Sequence, residues 1–254
     1  MGKIIDAHIH FHKQEYSLDI VDKMVETAIK NGVEEIHLLD HTHKFKEFSF
    51  LYTKDSLDEA TFSHFENRKY RSIQEYLNFI KLVRLKSYPI DIKFGLEVCY
   101  FKQYEKELKE ELSKYNFDFL IGSVHFIDGF AYDYNKESWE GKNVDLIYKR
   151  FFEITYDLIK SKLFNHLAHP DAIKIFGFYP SFNLEKYYLK VAKLLKKNNM
   201  TTENNSGFVR FGFSNYGLNK KFYEILKKYG VKILKSSDAH EYKFIGMKFN
   251  ELKD

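Results

Sequence analysis

Histidines and carboxylates recur at the ends of short apolar runs throughout this sequence. Seven runs end in residues that can bind a metal ion or carry a proton: Asp6-Ala-His-Ile-His10, Asp40-His41, Gly95-Leu-Glu97, Gly122-Ser-Val-His125, His166-Leu-Ala-His-Pro-Asp171, Glu203-Asn-Asn-Ser-Gly207 and Ser236-Ser-Asp-Ala-His240. Accidental placement is not expected to repeat at every run. The pattern therefore predicts one shared site that the runs build together.

His8 and His10 illustrate the chemistry available to such a site. Residues two apart on a strand point to the same face, so both imidazoles can bind one ion. Imidazole and carboxylate ligands without thiolates suit Zn²⁺, Mn²⁺ or Fe²⁺ in an open site that keeps a position for water or substrate. The ends of the seven runs together offer more His, Asp and Glu side chains than one ion can bind.

These ligands are too many for a single ion, so we expect two or three divalent ions a few ångströms apart. Such a cluster needs a bridging carboxylate, and Glu97 is the obvious candidate. Together with His125 and Asp238 it is predicted to be central to catalysis. Clusters of this kind hydrolyse phosphoesters above all, because one ion makes hydroxide from water while another neutralises the phosphate.

The elements that must position these residues alternate regularly along the chain. Apolar runs of strand length cover 3–10, 35–41, 92–100, 117–126, 164–169, 200–205 and 231–236, and amphipathic stretches of helix length cover 19–31, 72–86, 104–115, 144–162, 184–198 and 220–229. About seven β–α units in 254 residues predict an α/β fold, a closed or nearly closed parallel barrel kept as a single domain over 1–254. The long connections 42–71 and 127–143 are expected over the barrel mouth, beside the ligands.

Composition narrows the classes of function. Lys and Arg number 40 against 36 Asp and Glu, and the two signs interleave, which does not favour a nucleic-acid-binding protein. No apolar stretch approaches the roughly 18 residues of a membrane span, and the N-terminal apolar stretch is too short for a signal peptide. The single cysteine, Cys99, excludes an internal disulfide and is expected in the core. We therefore expect a cytoplasmic protein that binds neither nucleic acid nor membrane.

The motifs Asp-x-His-x-His, Asp-His, Gly-Leu-Glu, Gly-Ser-Val-His, His-Pro-Asp and Ser-Asp-Ala-His follow one another between Asp6 and His240. In this order they resemble the PHP (polymerase and histidinol phosphatase) superfamily. That resemblance implies a distorted (β/α)₇ TIM-like barrel with a trinuclear metal site at the C-terminal ends of the strands. The stretches 122–129, 169–177 and 203–207 are similar to the histidinol-phosphate phosphatase branch.

The resemblance also implies how the ligands divide among the ions. The implied sets are His8, His10, Glu97 and Asp238 for the first ion, Glu97, His125 and His169 for the second, and His41 and His240 for the third. The family usually adds a histidine from the loop after strand 1, whereas this chain offers only His12 and Glu15 there. We expect one of these to complete the third site, or that site to hold its ion weakly.

The substrate needs partners other than metal ions. Lys174 and Arg210 are the predicted cations for phosphate, with an ordinary surface charge as the alternative for each. Asp128 is predicted to pair with the imidazole or amine of histidinol, with a turn at Gly129 as the alternative. The remaining assignments are Glu203 and Asn205 as residues that orient ligands or substrate, His43 and His166 as loop or orienting residues, and His37 and His64 as structural or exposed residues.

The function that this resemblance implies is metal-dependent hydrolysis of L-histidinol phosphate to L-histidinol and phosphate, a step of histidine biosynthesis. One alternative is a related PHP phosphoesterase that acts on another small phosphate or a nucleotide. A second is a metal-stabilised binding module without activity. A third is a metal-dependent amidohydrolase, although those barrels usually carry a bridging lysine at the end of strand 4, where this chain has His125.

Overall fold

The computed structural model describes residues 2–11 and 16–252 of the chain. Parallel strands form the central sheet in chain order: β1 (Ile5–His10), β2 (Glu35–His41), β3 (Asp91–Cys99), β4 (Phe119–Ser123), β7 (His166–Leu167), β8 (Thr201–Asn205) and β9 (Ile233–Ser236). The amide of His10 donates to the carbonyl of Ala239 over 2.8 Å, which brings the first strand against the end of the last. The sheet is thus a nearly closed seven-stranded barrel, and the predicted fold class is confirmed.

Helices cross over between the strands and cover the outside of the barrel. They are α1 (Leu18–Lys30), α2 (Glu59–Ser63), α3 (Ile73–Arg84), α4 (Glu105–Leu112), α5 (Val144–Ser161), α6 (Glu185–Lys197) and α7 (Lys220–Lys228). Side-chain caps begin several of them: Ser72 and Glu75 form a capping box at α3, and Asn219 accepts two backbone N–H groups at α7. Gly32 and Gly230, which follow α1 and α7, have φ of 72° and 64°, the left-handed conformation that ends a helix.

Two predicted strands are much shorter in the structure. The run 117–126 pairs in the sheet only as far as Ser123, and the chain then forms a small antiparallel hairpin of β5 (Phe126–Ile127) and β6 (Phe130–Ala131). The run 164–169 contributes only His166 and Leu167, because His169 turns the backbone away with φ of 21°. Each of these strands therefore ends two residues before a candidate ligand, His125 or His169.

Alternation along the strands separates an apolar floor from a polar mouth inside the barrel. Leu39, Phe119, Ile121 and Ala168 form a buried cluster separate from the main core. His41 is two residues beyond Leu39 and therefore shares its face, one layer nearer the mouth. Within the described residues, no helix is long and apolar enough to cross a membrane.

Candidate metal centre

The carboxyl ends of the strands bring the predicted ligands together. His8 and His10 end β1, His41 ends β2 and Glu97 lies near the end of β3; His125, His169, Asp238 and His240 follow β4, β7 and β9 directly. His169 and Asp238 both have positive φ, at 21° and 49°. Non-glycine residues in this conformation are strained, and such strain collects at functional sites.

Glu97 lies at the centre of the cluster and is fully buried. Its Oε1 is 2.7 Å from His125 Nε2 and 3.2 Å from His169 Nε2. Its Oε2 is 3.2 Å from His8 Nε2, 3.3 Å from His10 Nε2 and 2.9 Å from His41 Nδ1. Although burial opposes ionisation, the imidazoles of His41, His125 and His8 hold the pKa of Glu97 well below its usual range. Glu97 thus contacts the rings of five candidate ligands, and its role as a bridging carboxylate stays a prediction.

A second group of candidate ligands lies beside Glu97, around His10. Asp238 Oδ1 is 3.3 Å from His10 Nε2, and the rings of His41 and His240 lie 4.2 and 4.3 Å from the His10 ring. Burial, with His41 and His240 as further causes, places the pKa of His10 well below its usual range. His10 is therefore neutral near pH 7, which leaves a ring nitrogen lone pair free to bind a metal ion.

The residues fit a cluster of divalent ions. Three overlapping groups of side chains offer ligand atoms within 4.8 Å of one another: His8, His10 and Glu97; His41, Glu97 and His125; and His10, His41 and His240. Among the described residues, the buried Nδ1 atoms of His10 and His41 make no hydrogen bond, although His41 Nδ1 is close to Glu97. Buried polar atoms without partners are rare, and an ion would satisfy them. His12 and Glu15, the candidates to complete the third site, lie outside the described residues.

Glu203 holds two of the ligands in place. This buried carboxylate lies 3.2 Å from His8 Nδ1 and accepts the backbone N–H of His169 over 2.8 Å. It is also 3.0 Å from His166 Nε2 and accepts from Asn205 Nδ2 over 2.7 Å. Because Glu203 engages Nδ1 of His8, the Nε2 atom of that ring is directed toward Glu97. The contacts agree with the orienting role expected for Glu203 and Asn205.

Asp133 performs the same task for His125 and was missed by the sequence analysis. Its Oδ2 lies 2.5 Å from His125 Nδ1, on the side of the ring opposite Glu97. Asp133 follows the β5–β6 hairpin, which folds the chain back toward β4. The signal in the sequence was an acidic residue eight positions after His125, but nothing in that spacing distinguishes it from Asp128.

A cavity of about 250 Å³ opens above the ligands. Six of the predicted ligands line it: His41, Glu97, His125, His169, Asp238 and His240. The fully buried His8 and His10 are not among its lining residues. Tyr134 and Phe211, which are 54% and 56% exposed, also line the cavity and mark its rim.

The other histidines and the cysteine take varied positions around this cavity. The ring of His43 stacks on that of His41 at 4.5 Å, and burial places its pKa well below the usual range. His64 is exposed, as expected, but lines the cavity and hydrogen-bonds to the Tyr134 hydroxyl over 3.0 Å. Cys99 is 1% exposed and belongs to the core, as expected, while also touching the cavity wall.

Of the three predicted substrate-binding residues, Arg210 lines the cavity, whereas Lys174 and Asp128 do not. Arg210 lines the cavity, 3.3 Å from Asp238 Oδ1, and also donates to the Asp238 backbone carbonyl. Lys174 is buried outside the lining, where its ammonium donates to Asp171 Oδ2 and the Gly217 carbonyl. Because its ammonium is already hydrogen-bonded to these acceptors, Lys174 stabilises the connection after β8. Its predicted role in phosphate binding is not supported.

Asp128 is also placed away from the cavity. Together with Gly129 it forms the turn between β5 and β6, with φ of 48° and 88° at the two residues. Both positive values are typical of a two-residue hairpin turn. The Asp128 carboxylate pairs with Arg150 Nε over 2.9 Å on the protein surface. The turn alternative therefore describes Asp128, and its assignment as a reader of histidinol is corrected.

Comparisons with known proteins match this chain over the region that contains most of the candidate ligands. A model of the PHP domain family matches residues 6–207. A Schizosaccharomyces pombe protein named "Probable histidinol-phosphatase" is 24% identical over 96% of this chain and 83% of its own length. The "Histidinol-phosphatase" of Lactococcus lactis is 25% identical over 70% of this chain and 60% of its own length.

Solved structures share the fold. The hisK structure from Listeria monocytogenes has a TM-score of 0.78 at 17% identity and covers 97% of this chain and 99% of its own. The structure of histidinol phosphate phosphatase from Lactococcus lactis, in complex with zinc, L-histidinol and phosphate, has a TM-score of 0.69 at 22% identity. That similarity covers 95% of this chain and 88% of the Lactococcus chain.

Proposed function

This chain belongs to the PHP domain family, and we propose that it is a metal-dependent phosphatase that hydrolyses L-histidinol phosphate in histidine biosynthesis. Water attacks phosphorus, the ester P–O bond breaks, and L-histidinol and inorganic phosphate leave. The observation that carries the proposal is Glu97, whose two oxygens lie within 3.3 Å of five imidazole nitrogens. A buried carboxylate shared in this way would be able to hold a cluster of two or three divalent ions.

Bound divalent ions would supply a hydroxide nucleophile and neutralise charge on the phosphate. The remaining roles belong to the chain. Glu97 contacts five of the candidate ligands through its two oxygens. Glu203 and Asp133 fix the rings of His8 and His125 by contacting their Nδ1 atoms. Arg210 anchors Asp238 at the cavity wall. A preorganised set of this kind does not have to rearrange as charge develops on the phosphate, and that preorganisation lowers the barrier.

The size and lining of the cavity favour a substrate in which the phosphate is esterified to a small, flat organic group. Its volume of about 250 Å³ suits a small molecule. Aromatic side chains contribute much of its wall: Phe65, Phe126, Tyr134, Phe208 and Phe211. Such rings can stack on an imidazole. The choice of histidinol among small phosphates is supported further by the names of the relatives that match this chain.

Steady-state hydrolysis of a panel of phosphomonoesters, with metal analysis of the same sample, tests the proposal. The panel includes histidinol phosphate, other small phosphate esters, a nucleotide and an aryl phosphate. We expect the highest kcat/KM with histidinol phosphate and at least two bound ions per chain. A higher value with another ester would assign the site to a different phosphate, and full activity without metal would overturn the mechanism.

A further inference from the structure

Arg68 lies in the connection between β2 and β3, five residues beyond the end of α2. Its side chain lines the same cavity as His41, Glu97 and His125. Among the described residues that line this cavity, Arg68 and Arg210 are the two with permanent positive charge. Arg68 belongs to none of the sequence motifs and makes none of the contacts that hold the candidate ligands in place.

The position of the Arg68 guanidinium is defined by an aromatic platform. The group lies over the ring of Phe65, 4.1 Å from its centroid. Phe65 is itself buried, stacked on Tyr52 at 5.2 Å and in edge contact with Phe126 at 5.7 Å. A guanidinium stacked on a fixed ring keeps its N–H edge available for hydrogen bonds in its own plane.

That edge has no partner in the part of the chain that the structure describes. No carboxylate there lies within 4.0 Å of Arg68, and its side chain makes no hydrogen bond. By contrast, Arg210 is paired with Asp238, Arg84 with Asp118 and Arg150 with Asp128. Burial lowers the pKa of Arg68 from its usual value. A half-buried cation without an acidic neighbour indicates a site for an anion.

We propose that Arg68 binds the phosphoryl group of the substrate, donating two parallel N–H bonds to its non-ester oxygens. The inference rests on the proposed phosphatase function. In this proposal the two arginines have different roles: Arg210 positions the candidate ligand Asp238, and Arg68 contacts the phosphate. Planar, bidentate donation to phosphate is the geometry for which arginine is suited better than lysine.

The test uses the metal-loaded enzyme and the variants Arg68→Gln and Arg68→Lys. Arg71→Gln is the matched control, since Arg71 belongs to the same connection and lies over the ring of Tyr16 at 4.9 Å, but is exposed and outside the cavity lining. The measurements are inhibition by inorganic phosphate and kcat/KM for histidinol phosphate and for an aryl phosphate. Metal content and the thermal midpoint of each variant are recorded alongside.

We expect Arg68→Gln to weaken inhibition by phosphate and to lower kcat/KM for both substrates by a similar factor, about 10- to 100-fold, the cost of a charge-assisted hydrogen bond. Arg68→Lys should fall between this variant and the wild type, because it keeps the charge without the planar fork. Arg71→Gln should match the wild type.

Unchanged inhibition by phosphate in Arg68→Gln would overturn the proposal. A loss confined to histidinol phosphate would also overturn it, because Arg68 would then contact the imidazolyl part of the substrate. The aryl phosphate and the phosphate inhibition remain informative if histidinol phosphate is not a substrate, so the two proposals can fail separately. If Arg68→Gln folds poorly, the thermal shift that phosphate produces in Arg68→Lys and the wild type decides the question.

Discussion

Glu97 shows at the level of one residue why divalent ions would suit this site. Its carboxylate is buried among five imidazoles, and the pKa values of three of them, His8, His10 and His125, are shifted in opposite directions. Carboxylate neighbours, acting against burial, hold the pKa of His8 and His125 well above the usual range, while burial and neighbouring imidazoles hold that of His10 well below it. Neutral and charged rings therefore share one carboxylate. Bound ions would replace this competition by coordination.

Replacing Glu97 with glutamine tests that interpretation. The amide keeps the size of the side chain but removes the charge, so Glu97→Gln should lower kcat by about 10³-fold and reduce the bound metal. Glu35→Gln is the control: Glu35 is also a buried glutamate, near the opposite end of the barrel, with Lys3 and Lys93 as partners. Equal losses in kcat for the two variants would contradict a special role for Glu97.

Asp133 offers a second test at a single side chain. Its contact with Nδ1 of His125 holds the ring in the orientation that directs Nε2 toward Glu97. Asp133→Asn should therefore reduce metal affinity or activity by about 10- to 100-fold, the usual effect of losing a carboxylate behind a ligand histidine. Metal titration of the apo protein separates the two effects. Asp128→Asn, in the same connection but paired with Arg150, should leave affinity unchanged; a similar loss in both would argue against the positioning role.

The strands could be predicted from the sequence more accurately than the loops. The run 35–41 coincides with β2, and the period of two along β1 correctly placed His8 and His10 on one face. Loops have no such period, so the direction of a side chain depends on the turn. Lys174 lies five residues after His169 but is directed toward Asp171, and the Asp128-Gly129 turn presents Asp133, not Asp128, to the cavity. Arg68 was missed for the same reason.

The two connections over the barrel mouth contact each other at the β5–β6 turn. The Gly129 carbonyl accepts the N–H of Asp58 over 3.1 Å, and the Ala131 amide donates to Thr61 Oγ1 over 3.2 Å. A Cβ on Gly129 would lie 2.6 Å from the Asp58 nitrogen, so any side chain there must push the connections apart. The hairpin thus sets the position of the segment that carries Phe65 and Arg68.

Gly129→Ala and Gly141→Ala separate this contact from backbone strain. Both glycines have positive φ, 88° and 71°, but nothing lies within 4 Å of a Cβ on Gly141. Gly141→Ala should cost about 1–2 kcal/mol of unfolding free energy from conformation alone, with KM unchanged. Gly129→Ala should cost more and raise KM as well, measured by denaturant unfolding and steady-state kinetics. Indistinguishable variants would mean that the two connections move independently.

At the scale of the whole molecule, the end of the barrel opposite the site makes its own contribution to acid stability. Lys93, His37 and Lys3 surround the buried Glu35 and, against the effect of burial, lower its pKa to about 2. A carboxylate whose folded pKa is depressed stabilises the fold above its unfolded pKa of about 4.3, and this contribution is lost as pH falls toward 2. Glu35→Gln should thus be less stable than the wild type at pH 6, with the difference shrinking between about pH 4.3 and 2. Urea unfolding of both proteins across this range measures it, and a difference independent of pH would contradict the assignment.

The candidate metal centre lies at the seam where the first and last strands of the barrel meet. Strands β2 and β3 pair over their whole common length from Glu35–Asp91 to His41–Glu97, whereas β1 meets the segment after β9 through a single bridge between Ile9 and Ala239. The ligands His10, Asp238 and His240 lie on the two sides of this seam. Ions bound by them would join the first strand to the last where the backbone pairing is weakest. A ligand that binds only the folded state stabilises it, so removal of the ions should weaken the seam before the rest of the sheet.

Hydrogen exchange with and without a chelator can detect this. Removal of metal should lower the thermal midpoint and accelerate exchange at the amides of His10 and of residues 233–240, while amides of β3 between Phe94 and Val98 keep their protection. Restoring the metal should restore both properties, which excludes irreversible damage. Asp238→Asn, which removes the charge of one ligand at the seam, should reproduce the exchange pattern in the presence of metal. Uniform acceleration across all seven strands would show that the ions stabilise the barrel as a whole rather than its seam, and an unchanged midpoint after verified metal loss would remove them from the stability of the fold.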